Sequence, residues 1–336
     1  MRLPEPRGPL TRALCDDLAT GTLSPATAEL AERTAAAATD PLLDEDLQLA
    51  LAVCYELHYR GFDGVDETWE WDPELLRVRA HLERAHTAGL RALVGEPEVT
   101  GEPVDQQLGT LIAADDGPSL SRYMARSGSL EQWREFLTLR SVYHLKEADP
   151  HTFALPRLSG RTKAAMVEIQ ADEYGGGSAE RMHSELFAGM MRDLDLDAGY
   201  GALWDDAPAV AFASVNTMSL FGLHRRWRGA ALGHLACVEM TSSEPSRRYS
   251  SGLRRLGYGG PTTVFYDEHV EADAVHEQIA AVDMCGSLVT GEPQLAADVL
   301  FGAACSLAMD GLAARHLLGE WEAGRSGLRG RVALAA

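Results

Sequence analysis

Strand character is scarce in this chain: runs of β-branched residues with period-two alternation are few, while Ala, Leu, Glu and Arg dominate and apolar positions recur at three and four. This excludes a sheet-based fold and predicts an all-α protein. There is no P-loop, no GxGxxG between a strand and a helix, no GxSxG elbow and no kinase motif set. His276-Glu277 opens like the HExxH of a zinc peptidase, but position 280 is Ala. No CxxC occurs: the five cysteines, Cys15, Cys54, Cys237, Cys285 and Cys305, are scattered through apolar helical surroundings and read as reduced core thiols. No apolar run approaches the roughly 20 residues that span a bilayer, and Met1 to Pro9 lacks the apolar stretch of a signal peptide. A cytoplasmic protein without membrane contact is therefore expected. Positive charge is also short. A formal charge of −20 disfavours nucleic acid and anionic lipid, whose binding depends on neutralising phosphate. A small-molecule substrate or a protein partner remains, and part of the acidity could sit in a cluster that bound cations neutralise.

With 336 residues and 46% hydrophobic content, the chain can bury a sizeable core. Residues 9 to 94 predict four helices, with Ser24-Pro25 and Asp72-Pro73 as start signals. The polar stretch Gly95 to Pro103 is the best linker. Beyond it the periodicity predicts helices near 106–115, 118–127, 129–147, 160–174, 178–194, 207–223, 228–243, 245–256, 262–287 and 292–322. Gly175, Gly176 and Gly177 separate two strong helical stretches, and each glycine costs a helix up to about 1 kcal/mol against alanine.

His269, Asp273 and His276 follow at helical spacing, within an arc of roughly 60° on one face. Two imidazoles and a carboxylate suit a borderline metal such as iron rather than a structural thiolate zinc site. A solvated face with an Asp–His pair would show the same pattern, so the site depends on further ligands. A di-iron centre in a helical bundle needs about four carboxylates and two or three imidazoles from facing helices. Four carboxylates and two ferrous ions sum to zero charge, which makes burial tolerable. Candidates on helices with an apolar face are Glu147, Glu173, His183 and Glu239.

The order Glu147, Glu173, His183 ten residues later, Glu239, then His269, Asp273 and His276 resembles the haem-oxygenase-like di-iron oxidases, often labelled iron-containing redox enzymes. The resemblance covers roughly residues 106 to 322. It implies a bundle of about seven helices and a seven-ligand set for two irons formed by these residues. The third histidine and the ten-residue spacing look like the N-oxygenating members. On this basis residues 1–104 form an N-terminal helical extension, for packing or dimerisation, with Trp69 and Trp71 near a break. Residues 105–325 form the di-iron domain and 326–336 a tail.

On an unbroken helix Glu173 and His183 would lie about 15 Å apart, whereas ligands of one two-metal centre converge far more closely. The glycine run supplies the bend. The expected function is a di-iron oxidoreductase, cycling Fe2+ and Fe3+ with O2 as co-substrate and an external electron donor, that oxidises an amino acid or amine in secondary-metabolite biosynthesis. N-hydroxylation and C–H oxidation, such as desaturation, cyclisation or C–C cleavage, both stay open. A homodimer is expected. Two alternatives also stay open. Glu180-x-x-His183 has the spacing of a ferritin-like ExxH motif, and the protein could store or sense iron without oxidising a substrate. A buried arginine would pair with an amino-acid carboxylate; Arg247 and Arg248 are placed for it, or else form a solvated face. His144 and His151 bracket Glu147 and could support it or simply pack, and His234 suits a core hydrogen bond.

Overall fold

A computed structural model of the protein describes residues 1–330, apart from the side chains of residues 271–275. Among the described residues there is helix and no strand. The N-terminal helices are α1 (Pro9–Thr20), α2 (Pro25–Ala37), α3 (Glu45–Glu56) and α4 (Pro73–Val94). Both start signals act as read: the Ser24 hydroxyl accepts from the Thr27 amide, and the Asp72 carboxylate accepts from the Glu74 and Leu75 amides. An irregular stretch at 95–103 leads to α5 (Val104–Ala113), α6 (Leu120–Arg126) and α7 (Leu130–His144). A reciprocal capping box between Ser129 and Gln132 opens α7. A short α8 (Asp149–Thr152) precedes α9 (Gly160–Glu173) and α10 (His183–Asp193). The chain then continues through α11 (Ala209–Leu223), α12 (Arg228–Thr241), α13 (Ser243–Arg255) and α14 (Val264–Gln278). A π-helical stretch, Ile279–Gly286, joins α14 to α15 (Ser287–Gly291), and α16 (Ala296–Glu322) closes the bundle.

α11 is apolar on every face, and its sequence explains its place: residues Ala209 to Phe212 and Met218 to Gly222 are all buried, between α3, α7, α12 and α16. α12 is equally enclosed, by α16, α14 and the π-helical stretch. Glycine sets its approach to α16. A Cβ at Gly233 would overlap the Val299 carbonyl, and one at Gly302 would overlap the Ala230 carbonyl, so the two backbones meet closer than any side chain permits. This crossing holds Glu239, on the last turn of α12, at a fixed depth in the bundle.

Three expectations are corrected. α7 stops at His144 rather than 147, because Ala148 takes a left-handed backbone (φ 74°) that no helix continues through. Glu147 therefore projects from a turn. α10 begins at His183 rather than 178, since two 3-10 turns, Gly175–Gly177 and Ala179–Arg181, extend the glycine break. The stretch Pro293–Glu322 is long and apolar enough to cross a membrane by length and composition, contrary to the sequence reading. In the structure its apolar face packs on α11 and α12.

The N-terminal helices share one apolar core with the rest of the chain. α3 also delivers a charge. Glu56, at its C-terminal end, is fully buried and receives Lys146 Nζ at 3.0 Å and the Tyr200 hydroxyl at 2.9 Å. Lys146 is the residue before Glu147. Replacing one partner of a buried pair strands the other, so Glu56→Ala should lower the unfolding free energy by about 3–5 kcal/mol. Glu74→Ala, which breaks an exposed pair with Arg77, should leave it nearly unchanged. Urea unfolding of the two variants checks this; equal stabilities would refute the assignment.

Candidate metal centre

Six of the seven expected ligands come together in the interior, in two groups that share one residue; the side chain of Asp273 lies outside the described residues. Glu147, Glu173, His183 and His269 each offer a donor atom within 4.8 Å of the others, and Glu173, Glu239 and His276 do the same. All six are buried. Glu173 belongs to both groups. The elements that carry them are the turn after α7, the end of α9, the first residue of α10, the last turn of α12 and two turns of α14.

The glycine break does what its position suggests. Glu173 Oε2 lies 3.0 Å from His183 Nδ1 across it. Gly175 has φ +66°, and a Cβ there would strike the backbone of Arg181 and Met182, so only glycine folds this reversal without strain. The ferritin-like reading is corrected at the same place. Glu180 is exposed and accepts a hydrogen bond from the Ser178 hydroxyl at 2.8 Å, away from the chamber.

Hydrogen bonding fixes the working nitrogen of His269. Its Nδ1 donates to the Phe265 carbonyl at 2.6 Å, which leaves Nε2 as the lone-pair nitrogen, 4.0 Å from Glu147 Oε1. His144 is oriented alike: its Nδ1 donates to the Arg140 carbonyl at 3.2 Å and its Nε2 lies 3.7 Å from Glu147 Oε1, with the ring stacked on Phe187. The His183 and His269 rings are 4.3 Å apart.

On the other side, His276 Nδ1 meets Glu239 Oε2 at 3.2 Å, and its Nε2 meets Asp172 Oδ2 at 2.9 Å. Asp172 was missed in the sequence. Its signal was its place next to Glu173, but one more acid in an acidic chain carries little weight. A carboxylate behind an imidazole fixes the ring and raises its basicity.

Electrostatics favours a cation here. Burial pushes the Glu239 carboxyl above its usual range. Burial acts the same way on Glu173, but the neighbouring imidazoles, His183 foremost, outweigh it and lower that carboxyl. Burial, with the His183 charge next, lowers His269 to about 4, so it is neutral and able to bind metal near pH 7. For His276 burial is outweighed by Glu239 and Asp172, and the ring rises to about 9. A small chamber of about 20 Å³ between the groups is bordered by His151 and Gln170. Its volume suits about one water-sized ligand. His151 Nδ1 and Gln170 Nε2 are buried without a protein partner among the described residues. The donor set, the shared carboxylate and these polar groups fit a pair of iron ions with a small oxygen ligand.

His151 Nε2 lies 3.2 Å from His234 Nδ1, and both rings are buried and held neutral by desolvation. His234 borders a second, larger cavity of about 340 Å³, whose walls include Glu147, His144 and His269. Arg247 is exposed and Arg248 pairs with Glu244, so neither contributes to this cavity.

The pattern that defines the iron-containing redox enzymes matches residues 134–311, just over half of the chain. The chain belongs to that family. Its all-helical architecture is consistent with the haem-oxygenase-like bundle implied by the ligand order, and its class of activity is that of an iron-containing oxidoreductase. No curated protein matches the chain. Glu147, Glu173, His183, Glu239, His269 and His276 all fall inside the match, as does Asp273.

An ion held by Glu173, Glu239 and His276 must displace the proton that His276 keeps below about pH 9 in the metal-free protein, so its affinity should fall as pH drops through that range. An ion at Glu147, Glu173, His183 and His269 meets His269 already neutral. Anaerobic ferrous titrations at about pH 6.5 and about pH 8.5 should therefore show binding weakened at the lower pH, and His276→Ala, which removes the proton to be displaced, should flatten that dependence. A dependence unchanged in His276→Ala would contradict the assignment.

Proposed function

We propose that this iron-containing redox enzyme is a non-haem di-iron oxidase that uses O2 and an external electron donor to oxidise a small amino acid or amine, in secondary-metabolite biosynthesis. The observation that carries the proposal is the place of Glu173 in both ligand groups, which is what a carboxylate shared by two ions requires. When bound, two ferrous ions would supply the electrons and the open positions for O2 reduction. The protein's part is geometry. Glu147, Glu173, His183, Glu239, His269, His276 and, by its helical position, Asp273 would hold the pair. The Phe265 carbonyl fixes the His269 ring, and Asp172 fixes that of His276.

Exclusion of water follows from the packing. Phe187 and Phe265 pack against each other and against His144, and Phe265 also lies edge-on to His183. Substrate access is from the larger cavity, which reaches Glu147 and His269. The ligand order resembles that of N-oxygenating members, which supports oxygen transfer to nitrogen; C–H oxidation uses the same arrangement.

Anaerobic loading with two equivalents of ferrous iron, followed by O2, should give a transient visible band. Slow featureless oxidation would favour an iron store or sensor instead. Glu173→Ala should lose the band and most of the bound iron, while Glu180→Ala should keep both; the opposite result would restore the ferritin-like ligand set.

A further inference from the structure

We infer that Arg140 and Asp310, facing each other in the wall of the larger cavity, bind the head group of a zwitterionic α-amino acid whose side chain runs inward to Glu147 and His269. This deepens the oxidase reading and rests on it for the fate of the side chain alone. The cavity walls include Asp115, Gly117 and Pro118, in the loop between α5 and α6, together with the metal-site residues His144, Glu147 and His269. They also include the apolar Leu139, Val210, Val215, Met218 and Leu307. Among the described residues that line it, Arg140 is the one Lys or Arg.

The guanidinium of Arg140 donates to Asp310 Oδ1, lies over the Phe136 ring with 5.5 Å to the centroid, and sits beside the Tyr249 phenol. These contacts use part of its five N–H donors, and a planar fork with donors to spare takes a carboxylate in two parallel bonds. Asp310 has 60% of its side chain accessible and retains acceptor positions for an ammonium group. Asp115, also in the cavity wall, adds negative potential.

Charge balance selects the ligand class. The pair sums to zero, so a zwitterion laid antiparallel to it brings no net charge into the cavity. A bare amine or a bare carboxylate would engage one member of the pair and add a net charge beside it. Position selects the reacting atom. Arg140 and His144 lie one turn apart on α7, roughly 6 Å along its axis. The head group therefore sits about one helical turn from His144, and the part of the substrate that reaches the metal ligands belongs to its side chain.

The Arg140–Asp310 pair also ties α7 to α16, so the test must separate recognition from scaffolding. Iron-loaded protein, kept anaerobic, would be titrated by calorimetry with L-norleucine, L-lysine, pentylamine and hexanoate. At least one amino acid should bind about tenfold or more tightly than either the amine or the acid. Arg140→Gln should remove that advantage, Arg140→Lys should restore part of it, and Asp310→Asn should weaken the amino acid more than hexanoate. Iron content and melting temperature of each variant are read in parallel. The inference is overturned if pentylamine or hexanoate matches the amino acids, if none of the four binds, or if variants with normal iron and melting temperature bind like the parent. Should an Arg140 variant fail to fold, Asp310→Asn, at a more accessible side chain, decides alone. Failure of the oxidase reading shows separately, as a missing visible band in protein that still binds the amino acid.

Discussion

Glu147, Glu173 and Glu239 end in one buried chamber, and the rest of the site accommodates that concentration of negative charge. Burying an unpaired carboxylate costs several kcal/mol. The metal-free protein answers with imidazoles: His183 on Glu173 and His276 on Glu239, the latter raised in basicity by the carboxylates on both its nitrogens. Around Glu147 the histidines are neutral, with lone pairs turned toward the carboxylate. A divalent cation bound here would compensate the acids and engage the lone pairs together.

The scaffold spends its irregularities on this chamber. Ala148 adopts a left-handed backbone, which for a residue other than glycine costs about 1–3 kcal/mol, and so turns Glu147 inward just after α7 ends. Gly175 reverses the chain between Glu173 and His183. A π-helical stretch begins soon after His276, and such stretches recur at functional sites. The N-terminal helices lie outside the family match, yet Glu56 of α3 anchors Lys146, next to Glu147. The extension is thus tied to the site by a buried ion pair as well as by apolar packing.

Much of this was legible in the sequence. The three-and-four period exposed the helices, and Ser24 and Asp72 marked two starts through their caps. The spacing of His269 and His276, the glycine run and the order of the glutamates pointed to residues that the fold does bring together. What stayed hidden depends on tertiary geometry. Nothing in Lys146-Glu147-Ala148 signals a left-handed alanine, so the sequence pattern runs α7 past its end. Arg140 sits on a helix where a charge reads as solvent-facing, whereas Arg247 and Arg248 drew attention by lying near Glu239 in sequence. Asp172 acquires meaning only when α9 packs near α14, and the His151–His234 pair only when α8 meets α12.

The central claim is that two ions share Glu173. Diffraction from iron-loaded crystals at the iron absorption edge tests it most directly. The account predicts two anomalous peaks roughly 4 Å apart, one beside Glu147 and His269 and the other beside Glu239 and His276, with the Glu173 carboxylate between them. A single peak, or a pair in which Glu173 contacts neither ion, would contradict it.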